Sequence, residues 1–303
     1  MATSHWSIRR DDAAPAACEP RLARRRGEVR TDEQVLEHYL IERELADRLR
    51  RAPRADRRRL YSELYDELFR RVPHHPMLKG VSPAQRRREV DLQLRFLKRF
   101  LTPTTVFMEI GAGDCALAIR AASIVKRVYA IEVSEQITRD VAPSGNFELI
   151  LSDGCSIPVA KGSIDVAYSN QLMEHLHPDD AREQLRNIHS SLAPGGIYLC
   201  VTPNRLYGPG DISARFDEFA TGFHLLEYTA RDIRQLLAGA GFAEVRFYAN
   251  VRGRFLRFPY GPIAALESVF GTLPYSLRKR VADTAPMRSL LGLRIAAIKP
   301  RAD

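Results

Sequence analysis

Two stretches of the chain concentrate side chains able to exchange protons near neutral pH. One is Ser169-Asn170-Gln171-Leu172-Met173-Glu174-His175-Leu176-His177, where an acid and two histidines crowd together. The other runs from Thr202 to Tyr228, is rich in Gly and aromatic residues, and holds Tyr207, Asp211, Phe216, Phe223, His224, Glu227 and Tyr228. Imidazole titrates close to working pH, so a histidine can take a proton and return it without extreme tuning. Plainer readings stand beside this one. His175 could pack and hydrogen-bond its own loop, and His177 before Pro178 could sit solvated at a helix start. The adjacent pair His74-His75 has no Cys, Asp or Glu at ligand spacing and reads as a turn between helices, so no metal is expected.

A third constellation suits ligand binding. Glu109-Ile110-Gly111-Ala112-Gly113-Asp114 ends a β-rich apolar run, and Glu132 closes the next run about twenty residues later. Glycines in such a turn tolerate positive φ and let a ligand approach the backbone, while the helix that follows offers free N–H groups. Gly111-x-Gly113-x-x-Ala116 passes as a relaxed dinucleotide fingerprint, so these residues alone leave two cofactor classes and an ordinary strand–helix turn open. Other residues favour one class. Glu109 lies where a carboxylate could receive an ammonium group but would repel a pyrophosphate. Ser152-Asp153-Gly154 follows the third strand, where an acid could take the amino group of adenine.

These residues need elements to position them. Residues 1–30 mix Ala, Pro and Arg without periodicity and read as a disordered tail. Leu36, Leu40, Leu45 and Leu49 form one face of a first helix that Pro53 ends. Leu60, Tyr61, Leu64, Tyr65, Leu68 and Phe69 mark a second, and Ser82-Pro83-Ala84-Gln85 opens a third that runs through Leu101. Residues 31–103 are thus read as a helical extension, suited to lid the site. From Thr104 the pattern becomes short strands alternating with helices, the grammar of βαβ units and a largely parallel sheet. Leu192-Ala193-Pro194-Gly195-Gly196 reads as a turn feeding a strand at 197–202. The stretch 252–290 reads as a helical insertion before a last strand at 291–298. It could cover the substrate site or, through 252–280, lie on a membrane surface.

Taken together, Glu109, Gly111 and Gly113, Glu132, Asp153-Gly154, Glu174-His175-Leu176 and Leu192-Ala193-Pro194-Gly195-Gly196 give the chain a family likeness. It resembles the class I S-adenosylmethionine-dependent methyltransferases, in their small-molecule group, over about residues 104–250 and more loosely to 300. The resemblance implies a Rossmann-like α/β domain over 104–303, with a seven-stranded, mostly parallel sheet and helices on both faces. It implies S-adenosyl-L-methionine as cofactor. By position, Glu109, Gly111 and Gly113 would hold its methionine part, Glu132 the ribose, Asp153 and Gly154 the adenine edge, and Asn170 would meet the sulfonium end. Cys115 stands where the family often has a third glycine. Gly222-Phe223-His224-Leu225-Leu226-Glu227-Tyr228-Thr229 also resembles bacterial methyltransferases acting on sugars and other polar metabolites. That makes His224 the first expectation for a catalytic base and His175 the second, with Tyr207, Asp211, Phe216 and Tyr228 at the substrate.

Composition narrows the acceptor. The 303 residues carry a net charge of +9, distributed as +8 over 1–103, −7 over 104–245 and +8 over 246–303. The core that would bind nucleic acid is therefore acidic. The chain lacks the Asn/Asp-Pro-Pro-aromatic loop of amino-group nucleic-acid methyltransferases, and no cysteine follows a proline, which argues against DNA and against base carbons. O-methylation of a small polar or saccharide-like metabolite is the expected reaction. A lipid-linked acceptor or an RNA ribose comes next. An NADP-dependent oxidoreductase would need a Tyr/Lys or Ser hydride constellation that the sequence does not show, and a non-catalytic scaffold would bind the cofactor without turnover. No membrane-spanning apolar run, no secretory signal in Met1–Arg10 and four scattered cysteines point to a cytoplasmic setting.

Overall fold

The computed structural model describes residues 28–79, 82–142 and 145–301, so all but the end of the expected tail lies outside them. Helix α1 (Asp32–Arg51) begins at Thr31, whose hydroxyl accepts the Gln34 amide while Gln34 Oε1 accepts the Thr31 amide. This reciprocal box satisfies two otherwise orphaned donors. Its buried stripe is Val35, His38, Tyr39, Glu42, Leu45, Ala46 and Leu49. That phase differs from the expected leucine face. Leu40 points to solvent, and the stripe carries a histidine and a glutamate one turn apart. Helix α2 (Arg54–Arg71) packs beside α1 and buries Tyr61, Leu64 and Leu68. Helix α3 (Pro83–Leu97) starts at the Ser82 cap and ends before Leu101, which is buried by the loop leading to the sheet.

The βαβ grammar follows as β1 (Val106–Ile110), α4 (Ala116–Ala122), β2 (Arg127–Glu132), α5 (Glu135–Thr138), β3 (Phe147–Leu151), β4 (Ile164–Asn170), α6 (Pro178–Ser191) and β5 (Leu192–Thr202). Then come α7 (Ala230–Gly239), β6 (Glu244–Val251), β7 (Arg254–Phe258), α8 (Tyr260–Gly271), α9 (Tyr275–Ala282), α10 (Ala285–Leu291) and β8 (Leu293–Ile298). The sheet order is β3-β2-β1-β4-β5-β8-β6-β7. Strands β1 to β5 pair in parallel, and β8 runs antiparallel between β5 and β6. The domain is a Rossmann-like α/β fold with an N-terminal helical addition, and its sheet has eight strands instead of seven.

The added strand is β7. Arg254–Phe258, expected within a helical insertion, pairs antiparallel with β6 across the two-residue turn Arg252-Gly253, both at positive φ (52° and 81°). Such a turn matches the twist of the two strands it joins. Around Phe255 the burial follows a period of two. Phe255 is buried 4.9 Å from the Phe96 ring, while Arg254 and Leu256 face out. A second difference concerns Leu192–Gly196, which belongs to β5. Leu192 pairs with Ile164, and the register shifts before Ile197 meets Val166. Gly195 at φ 77° gives this bulge its geometry.

Alternate residues of β1 feed opposite faces of the sheet. Met108 and Ile110 join one core with Leu45, Leu49, Leu64 and Leu68 of α1 and α2 and with Leu185 and Ile188 of α6. Phe107 joins the other, with Leu94 and Leu97 of α3 and Leu117 and Ala118 of α4. Burying a large apolar side chain contributes about 1.5–3 kcal/mol, so α1 and α2 are bound to the sheet by several such residues. Among the described residues no helix is long and apolar enough to cross a membrane.

Candidate active site

Strand β1 lies between β2 and β4, and the crevice at its carboxyl end is where open α/β sheets take ligands. A cavity of about 500 Å³ opens there. Gly111, Gly113, Glu132, Gly154, Gln171 and Leu172 line it from the sheet, and Tyr61, Tyr65 and Phe69 of α2 line it from above. Gly111 and Gly113 take positive φ (70° and 55°), and a Cβ on Gly111 would press on Leu172 at 3.2 Å. Glu132 ties the wall together. Its Oε2 accepts the Gly113 amide at 2.7 Å and its Oε1 accepts the Val133 amide at 2.8 Å. Cys115 adopts φ 57°, a conformation that costs a side-chain-bearing residue about 1–2 kcal/mol and glycine almost nothing. Burial pushes its thiol, like those of Cys155 and Cys200, up to about 12, which leaves all three unreactive.

Three residues expected at the cofactor stand just outside this wall. Glu109 is buried, its Oε2 has no hydrogen-bond partner among the described residues, and burial pushes its carboxyl up to about 8. Asp153 is occupied by its own turn: Oδ1 accepts the amides of Cys155 (2.9 Å) and Ser156 (2.7 Å), and Oδ2 pairs with Arg58 of α2 at 3.1 Å. Burial alone would raise this carboxyl, but those bonds and the guanidinium hold it below its usual range. Asn170 ends β4, and the next two residues, Gln171 and Leu172, reach the cavity in its place.

A second cavity of about 350 Å³ adjoins the first, and Tyr65, Met77 and His175 line both. His224 stands on its wall. Its Nδ1 lies 2.6 Å from Glu227 Oε1, which also accepts the Gly210 amide at 2.7 Å. Burial alone would lower the His224 pKa. The bond to Glu227 and the charges of Asp211 and Glu174 outweigh burial and hold it above the ordinary value. With Nδ1 engaged, Nε2 is the nitrogen left for a ligand. His175 behaves oppositely. Its Nδ1 donates to the Phe223 carbonyl at 3.0 Å, with the Tyr65 hydroxyl 2.9 Å away, and burial plus the His224 charge push it down to about 3. Glu174 is fully buried behind them, accepts from Thr202 Oγ1 at 2.9 Å, and is pushed up to about 7 by burial.

The remaining expected substrate residues divide. Asp211 lines the second cavity, and its Oδ2 accepts the His224 amide at 3.1 Å. Tyr207, Phe216 and Tyr228 line neither cavity. Tyr207 donates to the Met287 carbonyl, Phe216 stacks on Tyr39 at 4.2 Å, and Tyr228 is buried with its hydroxyl towards the Met173 carbonyl. Aromatic residues in that loop pack it down. Residues 252–291 also line neither cavity. Glu267 of α8 accepts from Asn204 Nδ2 at 2.7 Å and the Leu291 carbonyl accepts from the same group at 2.9 Å, so these helices brace the loop from behind.

Several lining residues have no counterpart in the sequence reading. His38, Glu42 and His75 come from the helical extension, Arg30 from the end of the stretch read as a tail, and Arg215 from the loop. His75, read as part of a turn, is in one, and it also reaches the cavity 4.5 Å from the His38 ring. The signal available was the His38/Glu42 pair at helical spacing on the stripe that also holds Val35, Leu45 and Leu49. His38, Glu42 and His75 bring ligand-type atoms together, but the histidines offer N–H groups there. Arg30 donates to His38 Nδ1 at 2.8 Å, so His38 Nε2 carries the proton it gives to Glu42 at 2.9 Å. Met77 donates its amide to His75 Nδ1 at 3.2 Å, which puts the His75 proton on Nε2. A metal would have to break this network.

Residues 108–200 match the family described as a methyltransferase domain. A protein of Mycolicibacterium smegmatis named as a probable S-adenosylmethionine-dependent methyltransferase is 29% identical over 196 residues, 63% of this chain and 70% of its own length. Residues 108–200 form a methyltransferase domain of the class I S-adenosylmethionine-dependent type. S-adenosylmethionine is its cofactor. A methyltransferase of the same description from Mycobacterium tuberculosis is 29% identical over 152 residues, 50% of this chain, and the match spans about half (53%) of that relative's length. Among solved structures, the methyltransferase is similar to an S-adenosylmethionine-dependent methyltransferase of Mesorhizobium loti (17% identity, 69% of this chain, 100% of that one, TM-score 0.47). It is also similar to phosphoethanolamine N-methyltransferase 2 of Haemonchus contortus in complex with phosphomonomethylethanolamine and S-adenosylhomocysteine (17% identity, 70% of this chain, 53% of that one, TM-score 0.48).

Proposed function

We propose that this methyltransferase methylates an oxygen of a small polar or saccharide-like acceptor bound in the smaller cavity. The observation that carries this reading is the shared wall: His175 and Tyr65 border both cavities, and the His224–Glu227 pair stands on the second side. A cavity of about 350 Å³ is the size of a small-molecule site. In this reading the domain expected over 104–303 is the cofactor-binding unit, and the 31–103 helices supply part of the acceptor site.

The residues of the larger cavity fit the cofactor. Glu132 stands at the end of β2, where a carboxylate accepts ribose hydroxyls, while Gly111 and Gly113 leave their backbone open to the amino-acid part. The orphaned Oε2 of buried Glu109 supplies an unused acceptor behind that turn. Gly154 with Ser152 and Ser156 lines the adenine side, Asp153 shaping their turn. When bound, S-adenosylmethionine supplies an electrophilic methyl on a positively charged sulfur.

The chain's own groups then do the rest. His224 Nε2 takes the proton of the acceptor hydroxyl, and Glu227 steadies the imidazolium that forms, a contribution of about 10²–10⁴ in rate. His175 stays neutral and, with the Tyr65 hydroxyl, fixes the geometry where the cavities meet. Asp211 accepts from a second acceptor hydroxyl. Buried free thiols at Cys115, Cys155 and Cys200 suit a reducing, cytoplasmic setting. The test is incubation with methyl-labelled S-adenosylmethionine and fractionated cell extract. Label should enter the polar-metabolite fraction, and label confined to RNA, lipid or protein rejects the acceptor class.

A further inference from the structure

Among the described residues, Arg215 in the smaller cavity keeps a buried guanidinium nitrogen without a hydrogen-bond partner. Arg215, in the tight turn Ile212–Arg215, is 3% exposed and lines the cavity. Among the described residues its Nε has no hydrogen-bond partner, and its ion pair with Glu28 is long, at 3.9 Å. Glu28 is committed elsewhere, since its Oε1 accepts Arg30 Nε at 2.8 Å and its Oε2 accepts the Arg30 terminal nitrogen at 2.7 Å. The cavity's carboxylates are in the reverse condition. Glu42 accepts from His38 Nε2 and from the Phe223 amide, and Asp211 accepts from the Ser213 and His224 amides. Buried charges are ordinarily paired and hydrogen-bonded. Here the anions are, whereas among the described residues Arg215 has a long ion pair and an Nε with no acceptor.

We infer that the acceptor carries a carboxylate, which seats on the Arg215 guanidinium while its reacting hydroxyl lies at His224. This rests on the assignment of the smaller cavity to the acceptor. Arg offers a planar fork matched to a carboxylate. A neutral acceptor would leave that fork unmatched, and an amine would meet a second cation. A dianion such as a phosphate monoester is disfavoured because Glu42 and Asp211 flank a single point of the wall, where a Cβ on Gly222 would strike an oxygen of each. A monoanion is the balance that these charges accept.

Three compounds with one carbon skeleton test this: lactate, propane-1,2-diol and 1-aminopropan-2-ol, each titrated by calorimetry into protein saturated with S-adenosylhomocysteine. Lactate should bind the wild type, and the diol and amine should bind at least about tenfold more weakly. Arg215→Gln should weaken lactate by about 10- to 100-fold, with S-adenosylhomocysteine affinity unchanged as the sign of an intact fold. If that variant does not fold, Arg215→Lys keeps the charge, loses the fork, and should still weaken lactate several-fold. Lactate that fails to bind the wild type, binds no better than the diol or amine, or binds the variant equally overturns the proposal. Those outcomes, with S-adenosylhomocysteine still bound, leave the methyl-transfer reading standing. Failure of the wild type to bind S-adenosylhomocysteine would instead strike that reading.

Discussion

His175 and His224 meet edge to face, ring centroids 4.8 Å apart and planes at 85°, and their environments push their pKa values in opposite directions. Burial, and then the charge of its neighbour, keep His175 neutral. Glu227 draws His224 towards its charged form against the same burial. Paired groups with divergent environments divide the labour of a site. In the proposed reaction His224 is the one that accepts a proton and holds it, and His175 positions.

The pH dependence follows from that pair. A base must be neutral to act, so turnover falls as pH drops through the His224 pKa, which lies above 6.5. Glu227→Gln removes the carboxylate that does most to raise it. The acidic limb of the rate profile should then move to lower pH, and the maximal rate should fall. A limb that stays in place would detach Glu227 from the titration.

Glu132 holds the cofactor cavity by its bonds to the Gly113 and Val133 amides. Glu132→Ala leaves two amides without that acceptor and removes the proposed ribose contact, at about 1–3 kcal/mol each. S-adenosylhomocysteine affinity, measured by calorimetry, should drop at least about tenfold. Wild-type affinity would remove Glu132 from the cofactor site.

Gly210 tests the dyad sterically. A Cβ there would lie 2.8 Å from His224 Cε1 and 3.1 Å from Glu227 Oε1. Gly210→Ala must therefore displace the pair, and a misplacement of that order costs about 10² in rate. Turnover should fall while S-adenosylhomocysteine binding holds. Unchanged turnover would mean that the pair can move without consequence.

His75 makes stability sensitive to acid. Burial, then the neighbouring charges, push it down to about 4, below the 6.5 of an unfolded histidine. The unfolded chain therefore takes up the proton first. The contribution is complete above about pH 6.5 and is lost as pH falls towards 4, by about 1.4 kcal/mol per pH unit. His224 has the opposite sign, its contribution being present below 6.5 and lost as pH rises through its raised pKa. His75→Gln should flatten the decline in Tm between pH 6.5 and 4, read by calorimetry. An unaltered slope would assign it to other groups.

The parallel half of the sheet and its glycine turn are legible in the sequence because both are local. A strand of β1 type, Gly111, Gly113 and Glu132 lie within a single βαβ unit whose spacing carries its geometry. The acceptor side is not local. His38 and Glu42 reach Phe223 and Asp211 only after α1 folds onto the sheet, and the leucine count placed α1 in a phase that leaves Leu40 exposed. Strand β7 was hidden because the run Arg254-Phe255-Leu256-Arg257-Phe258, with its arginines and its phenylalanines each three apart, fits an amphipathic helix end as well as a hairpin. Tyr207, Phe216 and Tyr228 show the converse limit. Their aromatic character announces burial, and only packing decides whether a ligand or the protein's own core supplies it.

The most direct test of proton abstraction by His224 is single-turnover methyl transfer by His224→Gln, run beside calorimetry with S-adenosylhomocysteine. Labelled methyl transfer to the polar-metabolite fraction should fall by about 10²–10⁴, while the affinity stays within about twofold of wild type. Turnover that survives the substitution with the cofactor still bound would contradict the assignment of His224 as the base.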